Sequence, residues 1–553
     1  MAEPRTLPRV QTRPPGRGPT PEALVSWTVG ALLAVTVVVP LTAVVRSAGA
    51  AAGPAAGAPL IRSFLHSLLL AGSVAVLGSG LALCTALTAQ SLAPRGRHLL
   101  DVLVCAAAVV PPGAVAAGVL AAAGNAGWLH LPLTRSPVHG FAGMTCAMLL
   151  AFLPLAHLIN RAALRTLDPR TLEGARMSGA GPGRVLLHVV LPHLAPAVAL
   201  GATVLLVTSM SDPAIPAVLR GLTPNIAHLA LDTTTGWGED AVAARASLLV
   251  ALPALLLLPV LARSGSRLSA AWAPGARSPR LELPAGATKV WVLLPTALHS
   301  LASAALVATI LLGALHTARD PHPGRVLGDA VGAVTSTLGL SGLACLLCLP
   351  LATGTVWATR SPRRRGPRPS HLVLAFLVLP GTTVGIAFSL ALRVPHSLGP
   401  VRVPALVGGA APSGGAIGIV LMLMTVALPM LHLGIGALWD AVPRGVVDSA
   451  RDAGAGTARL LFVVLLPSTG LLVGALAAVA LGRCLVSVVP LAYVTSPDTA
   501  LVASRVLDLT DHSRTPEVFL LAVLTASVAA LMLTLAQTAL GRVLPRLGGG
   551  PRT

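Results

Sequence analysis

The sequence predicts an all-α integral membrane protein with about twelve transmembrane helices in two homologous six-helix halves. Three observations carry that prediction. Of 553 residues, 54% are hydrophobic and only 10% charged, and the mean hydropathy of +0.81 is far too high for an ordinary soluble chain. Apolar runs of roughly 20 residues, the length that crosses about 30 Å of hydrocarbon, recur from one end of the chain to the other. A polar, glycine-rich stretch of twenty residues beginning at Glu173 returns 275 residues later, at Asp448.

Residues 1–22 are rich in Pro and Arg and read as a disordered cytoplasmic tail. The run that follows, 23–45, is long enough to span and is taken as a retained helix rather than a cleaved signal peptide. Candidate spans follow at 63–90, 98–122, 139–160, 189–211, 243–262, 290–315, 329–358, 370–392, 412–437, 464–490 and 517–540. The first half is residues 23–275 and the second 276–553. The third run contains VVPPGAVAAGV, and such Pro and Gly are acceptable in a bilayer where neighbouring helices approach closely.

A net charge of +20 suggests nucleic acid in a soluble protein, but here aromatic residues are 3% and the charges fall in separate loops. The positive-inside rule accounts for them. With a cytoplasmic amino terminus, inside segments hold 27 of the 39 Lys and Arg residues, including RSPRRRGPR at 360–368, and outside loops hold 10. Arg245 and Arg483 fall within spans. Both termini are then inside. The six cysteines all lie in apolar runs; CLLC at Cys345–Cys348 has the spacing of half a zinc site, yet no second pair accompanies it, so they read as core residues.

The repeat is EGARMSGAGPGRVLLHVVLP at 173–192 and DSARDAGAGTARLLFVVLLP at 448–467, with ten of twenty positions identical. Six spans separate the copies, so the halves run parallel and both copies face one side. Each copy opens with an acid suited to a helix N-terminal turn (Glu173, Asp448). Glycines follow that favour a turn ending the short helix: Gly179, Gly181 and Gly183 in one copy, Gly454 and Gly456 in the other. An Arg comes next (Arg184, Arg459), and the chain re-enters lipid through VVLP or VLLP, with the proline expected in the first turn of the next helix.

This pattern resembles the EAA loop of ABC-importer permeases: an acid, Ala two on, Gly six after the acid, and Pro thirteen after the Gly. Glu173, Ala175, Gly179, Val189, Leu191 and Pro192 fit it, as do Asp448, Ala450, Gly454, Val464, Leu466 and Pro467. Gly174 and Ser449 depart from the usual Ala, and Asp448 from the usual Glu. The duplicated plan resembles the fused permeases that import ferric iron, thiamine or aminoethylphosphonate. That resemblance implies a multi-pass protein of the bacterial cell membrane. It also implies coupling helices at 168–184 and 443–459, within loops 168–192 and 443–467, that dock on two copies of a cytoplasmic ABC ATPase, and an extracytoplasmic binding protein that delivers the solute. The close approach of another backbone is a further expected reason for the coupling-helix glycine.

A Walker A loop needs Lys after Gly, and the sole lysine, Lys289, follows Thr288; ATP and Mg are expected on a separate ATPase subunit, with no cofactor on this chain and no catalytic residue. Ionisable groups in spans are functional candidates by default, and Asp212 and Arg483 are the two taken as candidate pathway residues. Capping of the next segment by Asp212, and an interhelical partner for Arg483, are the alternatives. The stretch SDPAIPAVLRG is faintly similar to the DFGAP-like segment of ferric-iron permeases, while the second half has SVVP where those often carry an acid before LP. His66, His157 and His299 show no cluster by spacing and read as packing or local hydrogen bonding; no metal site is expected. An ion-coupled transporter or a non-transporting scaffold are the competing classes.

Overall fold

The computed structural model describes residues 21–50, 57–124, 138–236, 238–260, 263, 280–360, 373, 376, 379–398, 401–409, 411–456, 459–494, 496 and 498–547. The tail 1–20 lies outside them. In chain order the helices are α1 Pro21–Ala48, α2 Gly57–Ser91, α3 Pro94–Cys105, α4 Pro112–Ala123, α5 Phe141–Arg165, α6 Pro169–Met177, α7 Pro182–Val185, α8 Leu191–Ser211, α9 Ala214–Leu219, α10 Ile226–Leu231 and α11 Asp240–Leu256. The second half adds α12 Ala287–Leu315, α13 Pro323–Arg360, α14 Gly381–Leu392, α15 Ala416–Asp440, α16 Arg444–Asp452, α17 Leu466–Val486, α18 Val502–Asp511 and α19 Thr515–Leu547. One two-stranded antiparallel ribbon, His396–Leu398 with Val401–Val403, is the only sheet among the described residues.

The chain is a multi-pass, all-α membrane protein. Every one of the twelve expected runs contains helix. Among the described residues nine helices are long and apolar enough to cross a membrane, or ten if a bent pair counts as one span; Thr36–Ala48 and Gly381–Leu392 are shorter apolar helices.

The third run is not the single straight span expected. Its two helical parts, Pro94–Val109 and Pro112–Ala123, meet at 105°. Consecutive prolines explain the break: Pro forces the residue before it out of the helical region, and Val110 and Pro111 are both extended, with ψ of 134° and 136°. The second half repeats the device. Pro380 is extended, with ψ of 144°, and caps α14, which like α4 is 12 residues long.

The first helix of each half packs on the other half. α1 lies against α13 and α14, and α12 against α2 and α4, so the two exchanges are equivalent under the repeat. Arg245 belongs to this arrangement: its guanidinium donates to the carbonyls of Ala48 and Ala50 at 3.0 and 2.8 Å, satisfying the C-terminal end of α1. At the seam, Thr382 on α14 donates its backbone N–H to Ser211 Oγ at 3.0 Å and its hydroxyl to the Ser211 carbonyl. Tyr493 donates to the carbonyl of Ala227 at 3.1 Å, and Arg393 meets Asp240 at 2.6 Å. Each of these bonds joins one half to the other.

Gly385 on α14 lets the seam close. A Cβ there would sit 2.6 Å from Tyr493 Cδ2 and 2.9 Å from the Pro490 carbonyl oxygen, and backbone cannot yield as a side chain can. Gly385→Val is therefore expected to destabilise the protein by about 1–3 kcal/mol, as overpacking does; a lowered thermal midpoint of the detergent-solubilised chain would register it, and an unchanged midpoint would contradict the close packing.

Candidate functional site

The two repeat copies fold alike. Helix α6 begins at Pro169, where the Asp168 carboxylate accepts from Arg170 N at 2.9 Å, and ends at Met177. Gly179 then takes the left-handed conformation with φ of 78°; Ala180 N donates to Ala175 O at 3.0 Å and Gly179 N to Arg176 O at 2.9 Å. Helix α16 ends identically: Gly454 has φ of 79°, Ala455 N donates to Ala450 O at 2.9 Å, and Gly454 N to Arg451 O at 2.9 Å. This is the Schellman closure, in which a residue at positive φ pairs the last free carbonyls. It explains the glycine six residues after each acid. Within this chain a Cβ at either glycine would meet nothing within 4 Å, so positive φ is the requirement that the chain itself places on these positions. Gly181 sits at φ of −67° and has no such need.

Each short helix has one inward face and one exposed face. Leu172 is buried, and Ala175 packs with it against the first-half core; Val447 and Ala450 pack equivalently in the second half. Glu173 and Asp448 are exposed, as are Met177 (90%) and Val446 (49%), large apolar side chains left without cover. Asp448 lies 3.6 Å from Arg451 on the same helix.

Pro192 and Pro467 stand in the first turns of α8 and α17, as expected, but each of these helices continues from an earlier turn. The helix that enters the membrane begins at Pro182, and Pro192 comes ten residues later; between them Leu186–Val190 form a π-helical turn. In the second copy the π-helical turn is Leu460–Leu465, directly before Leu466 and Pro467. A proline inside a helix has no N–H to donate and its ring crowds the preceding turn; the wider π turn takes up that misfit. Leu191 and Leu466 are half-buried and pack against their cores, while Pro192 and Pro467 are exposed.

Asp212 ends α8 at the seam beside Ser211 and is fully buried. Its Oδ2 accepts from Ile215 N at 2.8 Å, capping α9, and its Oδ1 is buried with no hydrogen-bond partner among the described residues. Arg483 stands apart from it, on α17 with an exposed side chain, and the structure does not bring the two together.

Sequence reasoning passes over a charged cluster. His157 on α5 is fully buried and bridges Thr85 Oγ1 on α2, at 2.8 Å from Nδ1, and Asp101 Oδ1 on α3, at 3.0 Å from Nε2. Arg161, one turn on, donates from Nε and Nη2 to the two Asp101 oxygens at 3.2 and 3.1 Å, and from Nη1 to Gln90 Oε1 at 2.5 Å. His157, expected to serve packing or local hydrogen bonding, does hydrogen-bond, but within a charged cluster with Asp101 and Arg161; the available signals were an acid inside the third run and a His–Arg pair at i, i+4. The second half repeats the Thr–His part, with Thr355 Oγ1 at 2.8 Å from His432 Nδ1. Among the described residues no three His, Cys, Asp or Glu side chains gather as a metal site; the Cys348 and Cys484 thiols face the carbonyls of Met424 and Leu423.

The segment joining the halves braces the first loop. Leu281 N donates to Gln90 O at 3.3 Å, Arg280 Nε to Ser91 O at 3.0 Å, and Glu282 lies 3.5 Å from Arg176 on α6. A cavity of about 100 Å³ remains between this segment and the loop, lined by Arg176, Pro182, Leu186, Leu281 and Leu283.

Residues 76–269 match the family of binding-protein-dependent transport system inner membrane components. Over 169 residues the chain is 27% identical to a protein of Haemophilus influenzae named as a candidate ferric transport system permease, FbpB 1, covering 29% of this chain and 27% of that one. It is equally similar, at 27% over 169 residues, to the ferric transport system permease protein FbpB of Actinobacillus pleuropneumoniae, covering 25% of that protein. The matched stretch thus spans about a quarter of the length of these curated relatives.

Removing one partner of a buried ion pair leaves an uncompensated charge. Asp101→Asn or Arg161→Gln alone is expected to cost about 3 kcal/mol of stability, and the double variant less than the sum of the two. Thermal unfolding of the four proteins measures the coupling, and additive losses would deny the pairing.

Proposed function

We propose that the chain is the permease subunit of an ATP-binding-cassette importer in the bacterial cell membrane, with both termini cytoplasmic. The observation that carries this is the matched pair of loops. Two short helices, one per half, end in the same glycine cap, pack one face on the body and expose the other. An exposed helix rigidly joined to a span is what transmits a push from outside the bilayer. The docking partners are two copies of a cytoplasmic ABC ATPase, which would bind ATP and Mg and carry out hydrolysis, and a binding protein would present the solute on the opposite side. Glu173, Ala175 and Gly179, with Asp448, Ala450 and Gly454, form the coupling helices and their caps. Leu191 with Pro192, and Leu466 with Pro467, carry the movement inward past the π turns.

Among small solutes such as ferric iron, thiamine or a phosphonate, ferric iron is favoured by the names of the two relatives. In this reading Asp212 and Arg483 lie along the route. One oxygen of the buried Asp212 carboxylate has no partner, which also suits an ion-coupled carrier.

Replacing Gly179 and Gly454 together with Leu is expected to abolish ATP-dependent uptake while the protein still inserts, because a bulky residue is strained at positive φ. Normal ATP-driven uptake by that variant would sink the coupling assignment, and uptake that needs an ion gradient but no ATPase would favour the carrier. Asp212→Asn keeps an oxygen for the α9 cap and removes the charge. Transport should fall at least about tenfold, the loss of one charged contact worth about 1.4 kcal/mol, with the thermal midpoint held; unchanged uptake would leave Asp212 as a cap alone.

A further inference from the structure

The corner where α2 ends and α3 begins gathers positive charge beyond what the ion cluster uses. Arg97 lies within electrostatic reach of Arg161, Arg165 and Arg280. Arg161 is neutralised by Asp101, and Arg97 is spent on backbone, donating to the carbonyls of Ala89 and Leu92. Arg95, two residues before Arg97 on α3, Arg165 and Arg280 are all exposed; Arg280 gives Nε to the Ser91 carbonyl at 3.0 Å, and among the described residues no carboxylate pairs with any of the three. The nearest acids in sequence are otherwise engaged: Asp168 caps α6 and Glu282 meets Arg176.

Helix α3 gives this corner a second character. The 105° break turns it away from α4, and its exposed positions, Arg95, His98, Leu99 and Val102, recur at helical spacing. Along that face the basic end gives way to apolar side chains, Leu99 at 60% and Val102 at 50% exposure. A ligand complementary to such a surface is negative at one end and apolar at the other. The bond between Arg161 and Gln90 ties the ends of α5 and α2 together, so the corner lies on the side of the coupling loops, the side where positive charge concentrates.

We infer that this corner is a binding site for an anionic phospholipid of the coupling-loop leaflet: Arg95, Arg165 and Arg280 hold the headgroup phosphate, and an acyl chain lies along Leu99 and Val102. A soluble phosphate would use only the basic half of the surface, and a neutral lipid only the apolar half; the juxtaposition of both is what selects the anionic lipid.

The test is lipid titration of the purified full-length chain by native mass spectrometry. Phosphatidylglycerol, phosphatidylcholine and inorganic phosphate are the probes. Phosphatidylglycerol should bind at least about tenfold more tightly than phosphatidylcholine, and each Arg→Gln change at 95, 165 or 280 should weaken it about fivefold. A paired control, Arg319→Gln just after α12 with Arg325→Gln in the first turn of α13, should leave it within about twofold. Should the triple variant fail to fold, the single variants carry the same reading. Undiminished phosphatidylglycerol binding by the variants, equal binding of phosphatidylcholine, or displacement of the lipid by millimolar phosphate would each overturn the assignment, the last in favour of a free-anion site.

Discussion

A backbone N–H or C=O left unpaired in hydrocarbon costs several kcal/mol, and that constraint governs where this chain can break its helices. The breaks at Pro111, Asp212 and Pro380 are brought in against other helices rather than left facing lipid. There, short side chains take the freed groups. Ser67 Oγ accepts from Ile226 N at 2.8 Å, Asp212 from Ile215 N, Ser211 from Thr382 N, and Thr337 Oγ1 from Val502 N at 3.0 Å. Ser67 with Ile226 and Thr337 with Val502 are the same contact in the two halves, each made by the second long helix of its half to the segment that returns after the break.

What is repeated is therefore backbone accounting. Thr85 with His157 and Thr355 with His432 tie the same pair of helices in each half, the glycine caps of α6 and α16 close the same carbonyls, and the π turns before Pro192 and Pro467 absorb the same missing donor. What is not repeated is charge. Asp101 and Arg161 join the Thr–His pair in the first half, whereas the positions 275 residues beyond Asn160 and Arg161 are Ile435 and Gly436. The joining segment adds Glu282 to the first loop. Burying an ion pair is weak as a source of stability but strict in geometry, so the first half is held in one arrangement more firmly than the second.

Much of this plan was legible in the residues. Span length follows from bilayer thickness, and the glycine six after each acid follows from the closure of a short helix, so both loops and the all-α, multi-pass plan could be read from pattern alone, while nine or ten of the twelve expected spans stand as membrane-length helices among the described residues. The 105° break was written in PP at Pro111–Pro112 but masked by an apolar run whose hydropathy is blind to backbone direction. The Asp101–His157–Arg161 cluster was missed because its members come from helices 56 and 60 residues apart in sequence. Periodicity places residues on a face of their own helix; it does not say which helix that face will meet.

The seam joins these two levels. Thr382 holds Ser211 through two hydrogen bonds, and Ser211 is the last residue of the helix that begins, through a π turn, at the first repeat loop. A displacement of α6 along its connection to α8 must reach Ser211 or be absorbed on the way. The π turn at Leu186–Val190 is where it could be absorbed, because its wider ring holds the chain less tightly than an α turn. The aliphatic packing around it opposes that: Leu186 and Val190 are buried against the same core as Leu172 of α6, so the turn, α6 and the base of α8 share one packed cluster. A close-packed cluster moves as a body before it deforms, which makes α8 a rod between the loop and the seam, with Asp212 at its far end.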